Sequence, residues 1–163
     1  MIRYCRDKLG QNCDKLERFF KKTNYLGEYS YMEILMYTIK YILDDGKNPD
    51  KLDYEDWYYT NIHQIDDGEY QGTLMFLIPR ADQYQPAEYD YLLTYISYGS
   101  CSVCDMLLSI HVDYDFAETE EEKEQAIKNL MRLCCDIVNN MIVPYNHGWR
   151  ERQEYKQVEW KEN

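Results

Sequence analysis

Apolar side chains recur every three or four residues in two stretches near the N-terminus, the spacing of one face of an α-helix. The first stretch consists of Leu9, Cys13, Leu16, Phe19 and Phe20 and predicts a helix over about residues 11–23. The second stretch consists of Met32, Leu35, Met36, Ile39, Ile42 and Leu43. Ser30 and Glu33 have the three-residue separation of a capping box at its start. Gly46 and Pro49 predict where this second helix ends.

The middle of the chain has the patterns of β-strands. Residues 57–65 are rich in aromatic and β-branched side chains, and Asp66-Asp67-Gly68 after them is typical of a hairpin turn. Residues 72–79 are apolar on both faces, which favours a central strand. Residues 88–98 alternate between two faces, with three tyrosines on one of them. The sequence therefore predicts a three-stranded antiparallel meander in chain order.

Helical spacing returns after this third strand. Met106, Leu107 and Ile110 predict a short helix over residues 102–112, followed by an acidic loop over residues 113–116. Thr119 and Glu122 then form a second capping box that begins a long helix. The apolar stripe of that helix is Ile127, Leu130, Met131, Cys134, Ile137, Val138 and Met141. Pro144 predicts its end.

The order of these elements predicts an α+β domain over residues 1–144, in which two N-terminal and two C-terminal helices flank the three-stranded antiparallel meander. Residues 145–163 are predicted to form a polar C-terminal arm or tail. A total of 163 residues suits one domain. No apolar run approaches the roughly 18 residues of a membrane span, and the N-terminus lacks the apolar core of a signal peptide. We therefore expect a cytoplasmic protein without a membrane partner.

The charge of the chain is concentrated in its middle. The formal net charge is −12, and residues 44–124 contain 20 acidic and four basic residues, whereas residues 1–29 carry a net charge of +3. This balance argues against nucleic acid as a direct ligand, because phosphate binding needs positive charge. A strongly acidic surface speeds encounter with a basic protein. The other interpretation is a solvated surface that keeps the protein soluble.

Tyrosine is the second compositional signal, because many of the 18 tyrosines lie in and beside the predicted sheet. Aromatic side chains next to acidic ones are typical of a protein-binding patch. The candidate partner-binding residues are Tyr84, Tyr89, Tyr91, Asp113, Asp115, Glu120 and Glu121. A homodimer through the sheet or the tail is left open by the sequence.

Cys101 and Cys104 stand three residues apart where the third strand meets the next helix. Two thiols in that position are the setting of a thioredoxin-like redox motif, and a helix N-terminus lowers the pKa of a nearby thiol. A thioredoxin-like fold needs a further strand between the helix that follows the two cysteines and Pro144, and the sequence does not predict one. A second interpretation is that both thiols pack as small apolar groups at a tight turn, with Ser102 as the N-cap of the helix.

A third interpretation of the same pair is a structural zinc site. Zinc needs four ligands, and Cys101 with Cys104 supplies two. Cys134, Cys135 and His111 are the candidates for the others. The three histidines of the chain are isolated, and no glycine-rich phosphate loop occurs, so no enzyme class is indicated.

Four segments of the chain resemble a family of small acidic proteins encoded by bacteriophages and prophages. They are residues 70–73, 84–86, 90–92 and 98–105, of which the last reads Tyr-Gly-Ser-Cys-Ser-Val-Cys-Asp. The resemblance covers about residues 57–112, and the relatives usually have glycine where this chain has Val103. It implies an accessory protein of a mobile genetic element that acts inside a bacterial cell, and it carries over no reaction and no catalytic residue.

These observations together predict a non-enzymatic accessory protein of the phage type, without a cofactor, in the cytoplasm of an infected or lysogenic bacterium. The acidic surface is expected to bind a basic host protein, as a mimic of nucleic acid or as an inhibitor of host defence. The alternative is a zinc-binding or thiol-redox protein centred on Cys101 and Cys104, with Cys134 as a further metal ligand.

Overall fold

A computed structural model describes residues 2–23, 26–43, 61–79, 85, 87 and 91–142, with the backbone alone for Ile42 and Leu43. The elements are α1 (Ile2–Lys22), a 3-10 turn (Leu26–Glu28), α2 (Tyr31–Leu43), β1 (His63–Asp66), β2 (Gly72–Pro79), β3 (Tyr91–Tyr98), α3 (Met106–Asp115) and α4 (Glu120–Asn139). The predicted α+β class is confirmed, with two helices before the sheet and two after it. The predicted arm at 145–163 lies outside the described residues.

Helix α1 begins at Ile2, well before the predicted start near residue 11. The reason is that Cys5 adds a further helical turn to the apolar stripe that contains Leu9, and both side chains are buried. The guanidinium group of Arg6 donates a hydrogen bond of 2.9 Å to the carbonyl oxygen of Asn139 at the C-terminal end of α4. This contact places a cation at the negative end of the α4 dipole and links the two helices.

Helix α2 begins at its predicted capping box. The backbone N–H of Ser30 donates to Oε2 of Glu33 at 2.8 Å, and the backbone N–H of Glu33 donates to the Ser30 hydroxyl oxygen at 3.3 Å. These two bonds satisfy N–H groups that have no partner inside the helix. The predicted helix end at Gly46 and Pro49 lies outside the described residues.

The sheet is antiparallel with the strand order β1-β2-β3, and β2 is central as predicted. Its buried face consists of Leu74, Phe76 and Ile78 on β2 and of Leu92, Thr94 and Ile96 on β3, which pair directly across the two strands. The predicted first strand is too long at its N-terminal side, because β1 covers only His63–Asp66 and all four of its residues are exposed. Residues 57–60 of that prediction lie outside the described chain.

Helix α3 differs from its prediction at both ends. Asp105, and not Ser102, is its N-cap, because Oδ1 of Asp105 accepts the backbone N–H of Leu108 at 2.9 Å. The predicted acidic loop is also wrong, since Asp113 and Asp115 lie in the last turn of this helix, which ends at Asp115. The two acidic side chains are therefore placed by a rigid helix.

Helix α4 begins at the predicted capping box of Thr119 and Glu122. All seven residues of its predicted apolar stripe are buried. The hydroxyl of Thr94 donates to the backbone carbonyl of Ile137 at 2.6 Å, so α4 lies against the buried face of the sheet. Beyond α4 the chain returns to β3, where Ile142 and Leu93 form a two-way backbone bridge. None of the helices in the described ranges is long and apolar enough to cross a membrane.

Candidate functional site

A pocket of about 410 Å³ opens where the end of α3 meets the start of α4. Its apolar lining is Val112, Phe116, Ala117 and Ala126, and its polar lining is Asp113, Glu122 and Gln125. The capping box of α4 fixes one wall and the last turn of α3 forms the other. We call this feature the α3–α4 pocket.

Phe116 is the most unusual residue of the pocket, because 80% of its surface is exposed. It follows Leu108 and Val112 at intervals of four residues, so the three side chains form a stripe along one side of α3. Leu108 and Val112 are also exposed, at 40% and 39%. Neighbouring exposed apolar side chains with a polar rim are typical of a protein-binding surface.

The rim of the α3–α4 pocket is negatively charged. Residues 113–124 contain seven acidic residues and one basic residue. Oε2 of Glu122 accepts the backbone N–H groups of Glu118 and Thr119 at 2.7 and 3.0 Å. These bonds lower the pKa of Glu122, so its carboxylate is ionised at neutral pH.

Two lysines meet this acidic segment. The ammonium group of Lys123 lies 3.6 Å from Glu120, and that of Lys21 in α1 lies 3.6 Å from Glu124. Within the described part of the chain, Asp113 and Glu121 form no salt bridge with a lysine or arginine. Their charges are therefore available to a partner.

The predicted acidic residues divide between two places. Asp113 lines the pocket, and Glu120 and Glu121 are exposed on the first turn of α4, next to the pocket residue Glu122. Asp115 lies two residues from Asp113, about 200° around the helix. Its carboxylate packs against Gly27 in the 3-10 turn, so closely that a Cβ atom on that glycine would overlap it.

The predicted tyrosines do not join the acidic residues. Tyr91 is half-buried and alternates with Leu92, so it lies on the sheet face opposite α4. Tyr84 and Tyr89 lie outside the described residues. The aromatic side chain beside the acidic rim is instead Phe116, for which the sequence pattern predicts a loop.

Cys101 and Cys104 form a second candidate site in the turn between β3 and α3. Both side chains are exposed, which corrects the interpretation that they pack as apolar groups. Their sulfur atoms are 2.8 Å apart, and the backbone N–H groups of Cys104 and Asp105 donate to the Cys101 carbonyl at 3.0 and 2.9 Å. The pKa of Cys101 is lowered, first by the hydrogen bond with the Cys104 side chain and then by backbone N–H groups of Val103 and Cys104.

Of the other candidate zinc ligands, Cys134 and Cys135 lie in the hydrophobic core. Cys134 is fully buried on α4, and burial raises the pKa of its thiol to about 12. His111 lies on α3, where burial lowers its pKa. Among the residues that the structure describes, no group of three or more histidine, cysteine, aspartate or glutamate side chains is arranged to hold a metal ion.

Comparisons of the chain with protein-family models, with curated proteins and with solved structures give no match. The function of the chain is therefore inferred from the geometry of the α3–α4 pocket and of the Cys101–Cys104 turn.

Proposed function

We propose that this chain is a non-enzymatic accessory protein of the phage type that binds a basic host protein through the α3–α4 pocket. The observation that carries the proposal is the exposed ring of Phe116 in an apolar pocket with the carboxylates of Asp113 and Glu122 at its rim. The partner is a nucleic-acid-binding protein, and the complex forms in the cytoplasm of an infected or lysogenic bacterium.

The chemistry of the pocket fits an arginine side chain of the partner. A guanidinium group stacks on an aromatic ring through cation–π attraction and also donates paired hydrogen bonds to carboxylates. Phe116 provides the ring, and Asp113 and Glu122 provide the carboxylates. Arginine and aromatic residues are the side chains that most often dominate the binding energy of an interface.

The acidic segment around the pocket supports the choice of partner. A protein that binds nucleic acid has lysines and arginines that neutralise a row of phosphates. The seven acidic residues between positions 113 and 124 offer negative charges to the same basic surface. Binding here therefore competes with nucleic acid, which is how either a mimic or an inhibitor of host defence would act.

The test is capture from a nuclease-treated bacterial lysate at low salt, with the full chain as bait. The wild type is compared with Phe116→Ser, which removes the ring, and with Asp113→Asn, which removes one rim charge. Tyr70→Ser is the matched control, because Tyr70 is 78% exposed in the β1–β2 turn and does not line the pocket. A captured basic protein is then purified and its binding to DNA is measured with and without each bait.

We expect the wild type and Tyr70→Ser to retain the basic protein and to displace its DNA, and Phe116→Ser and Asp113→Asn to retain less of the protein and to displace less DNA. The proposal fails if no basic protein is retained. It also fails if all four baits retain the same protein equally, because net charge alone would then explain the capture.

A further inference from the structure

The turn between β3 and α3 holds two thiols almost at bonding distance. The sulfur atoms of Cys101 and Cys104 are 2.8 Å apart. A disulfide bond needs about 2.05 Å, so the sulfurs must approach by less than about 1 Å. The hydrogen bonds from the Cys104 and Asp105 N–H groups to the Cys101 carbonyl already fold the backbone into a tight turn.

This pair differs from the other cysteines in its access to solvent. Cys101 and Cys104 are exposed, and Val103 between them is 95% exposed. Cys13 is half-buried on α1. The remaining three thiols, Cys5, Cys134 and Cys135, are buried in the core. A dissolved oxidant therefore reaches the pair before the core thiols.

The neighbourhood of the pair holds both thiols in place. Gly99 lies so close to Cys104 that a Cβ atom on it would be 2.6 Å from the Cys104 sulfur and carbonyl oxygen. Asp105 ends the turn, and its carboxylate accepts hydrogen bonds from Tyr31 at 2.9 Å and from the Gly99 N–H at 3.3 Å. The second thiol is thus kept next to the first by anchored residues on both sides.

The two thiols have different chemical roles. The Cys104 thiol and nearby backbone N–H groups lower the pKa of Cys101, so Cys101 supplies the thiolate. Thiolates attack disulfides through a mixed-disulfide intermediate, and a second nearby thiol then resolves it. Cys104 is in the position of that resolving thiol.

We propose that Cys101 and Cys104 form a redox-active dithiol that exchanges with low-molecular-weight disulfides, independently of the α3–α4 pocket. The Cys101 thiolate attacks one sulfur of the disulfide, forms a mixed disulfide and releases one thiolate. Cys104 loses its proton to solvent and attacks the Cys101 sulfur, which forms the Cys101–Cys104 bond and releases the second thiolate. The protein dithiol is oxidised by two electrons, and the small disulfide is reduced to two thiols.

The experiment uses the reduced full chain and oxidised glutathione as the probe. Free thiols are counted under native conditions and after unfolding, and the bonded cysteines are identified by mass spectrometry after alkylation. We expect the wild type to lose two free thiols of its six, both at positions 101 and 104, and to recover them with a phosphine reductant. Cys104→Ser is expected to stop at a glutathione adduct on Cys101. Cys101→Ser cannot form the Cys101–Cys104 bond, and we expect a glutathione adduct to form on Cys104 more slowly than on Cys101 in the other variant. Cys13→Ser is the matched control and is expected to behave as the wild type.

Three outcomes would overturn the proposal. The first is that all six thiols of the wild type remain free at millimolar oxidised glutathione. The second is that the adduct forms at Cys13 in preference to Cys101. The third is that a metal chelator without reductant restores the two missing thiols, because bound zinc and not a disulfide would then protect them.

Discussion

The hydroxyl group of Tyr31 donates a hydrogen bond of 2.9 Å to Oδ1 of Asp105 and accepts one of 3.2 Å from the backbone N–H of Leu107. Both Tyr31 and Asp105 are buried, and they are 74 residues apart in the chain. Because Asp105 is the N-cap of α3, this contact links α2 to the start of α3 and to the Cys101–Cys104 turn.

Tyr31→Phe is expected to reduce the free energy of unfolding by about 1.5–3 kcal/mol, the range for a hydrogen bond to a charged group. The ring still fills its place, so the loss reports the hydroxyl group. Urea denaturation measures it. Tyr70→Phe is the matched control and is expected to change nothing, since Tyr70 is 78% exposed. Equal stability of the two variants would show that the Asp105 carboxylate does not depend on Tyr31.

Replacing Gly99 or Gly10 with alanine is expected to change the stability of the protein in opposite directions. Gly99→Ala places a Cβ atom 2.6 Å from the Cys104 carbonyl oxygen and sulfur, so the turn must shift and stability falls. Gly10 lies inside α1 with nothing within 4 Å of its missing Cβ, so Gly10→Ala is expected to raise stability by about 0.5–1 kcal/mol. Thermal unfolding of the two variants checks both signs. A stabilised Gly99→Ala would contradict the tight turn.

The helix starts show what the sequence predicts and what it does not. Ser30 with Glu33, and Thr119 with Glu122, cap their helices by contacts within three residues, so the sequence pattern alone locates α2 and α4. The sequence predicts the cap of α3 at Ser102, whereas the structure has it at Asp105. Serine and aspartate are both favoured N-cap residues, so the local pattern allows either position, and the additional contact that Asp105 makes comes from Tyr31, 74 residues away in the chain.

The error at the end of α3 also explains why the sequence pattern does not identify Phe116. The pattern predicts Asp113 and Asp115 in a loop, where both would face a partner together. In the structure the helix separates them, and Asp115 packs against Gly27 of a turn that precedes α2. Extending the stripe of Leu108 and Val112 by one more turn reaches Phe116. The acidic character of the site is predictable from the sequence. Its aromatic residue, Phe116, can be identified only when the end of α3 is placed correctly.

We expect His111 to make the folded protein less stable as the pH falls. Its Nε2 atom is buried without a hydrogen-bond partner among the described residues, and burial lowers its pKa, against the opposing effects of Asp115, the Tyr29 backbone and Asp105. Near pH 6.5 the imidazole of His111 takes up a proton more readily in the unfolded chain than in the folded chain. Stability therefore falls as the pH drops below about 6.5.

The variant His111→Leu tests this prediction because it cannot titrate. Between about pH 7 and about pH 5, below the unfolded histidine pKa of about 6.5, the wild type is expected to lose more unfolding free energy than the variant. The carboxylates are common to both proteins, so their contribution cancels in the difference. Urea denaturation at each pH measures it, and parallel pH profiles would show that His111 does not contribute.

Phe116→Ser separates partner binding from stability. Its ring is 80% exposed, so we expect the free energy of unfolding to change by less than about 0.5 kcal/mol. Binding to the captured basic protein is expected to weaken by about 2 kcal/mol, or roughly 30-fold, if the ring is an interface hot spot. Asp113→Asn is expected to reduce the salt dependence of binding, because it removes one rim charge. Calorimetric titration at two salt concentrations distinguishes the two effects. If Phe116→Ser binds as tightly as the wild type, the partner lies elsewhere on the acidic surface and the α3–α4 pocket is not its site.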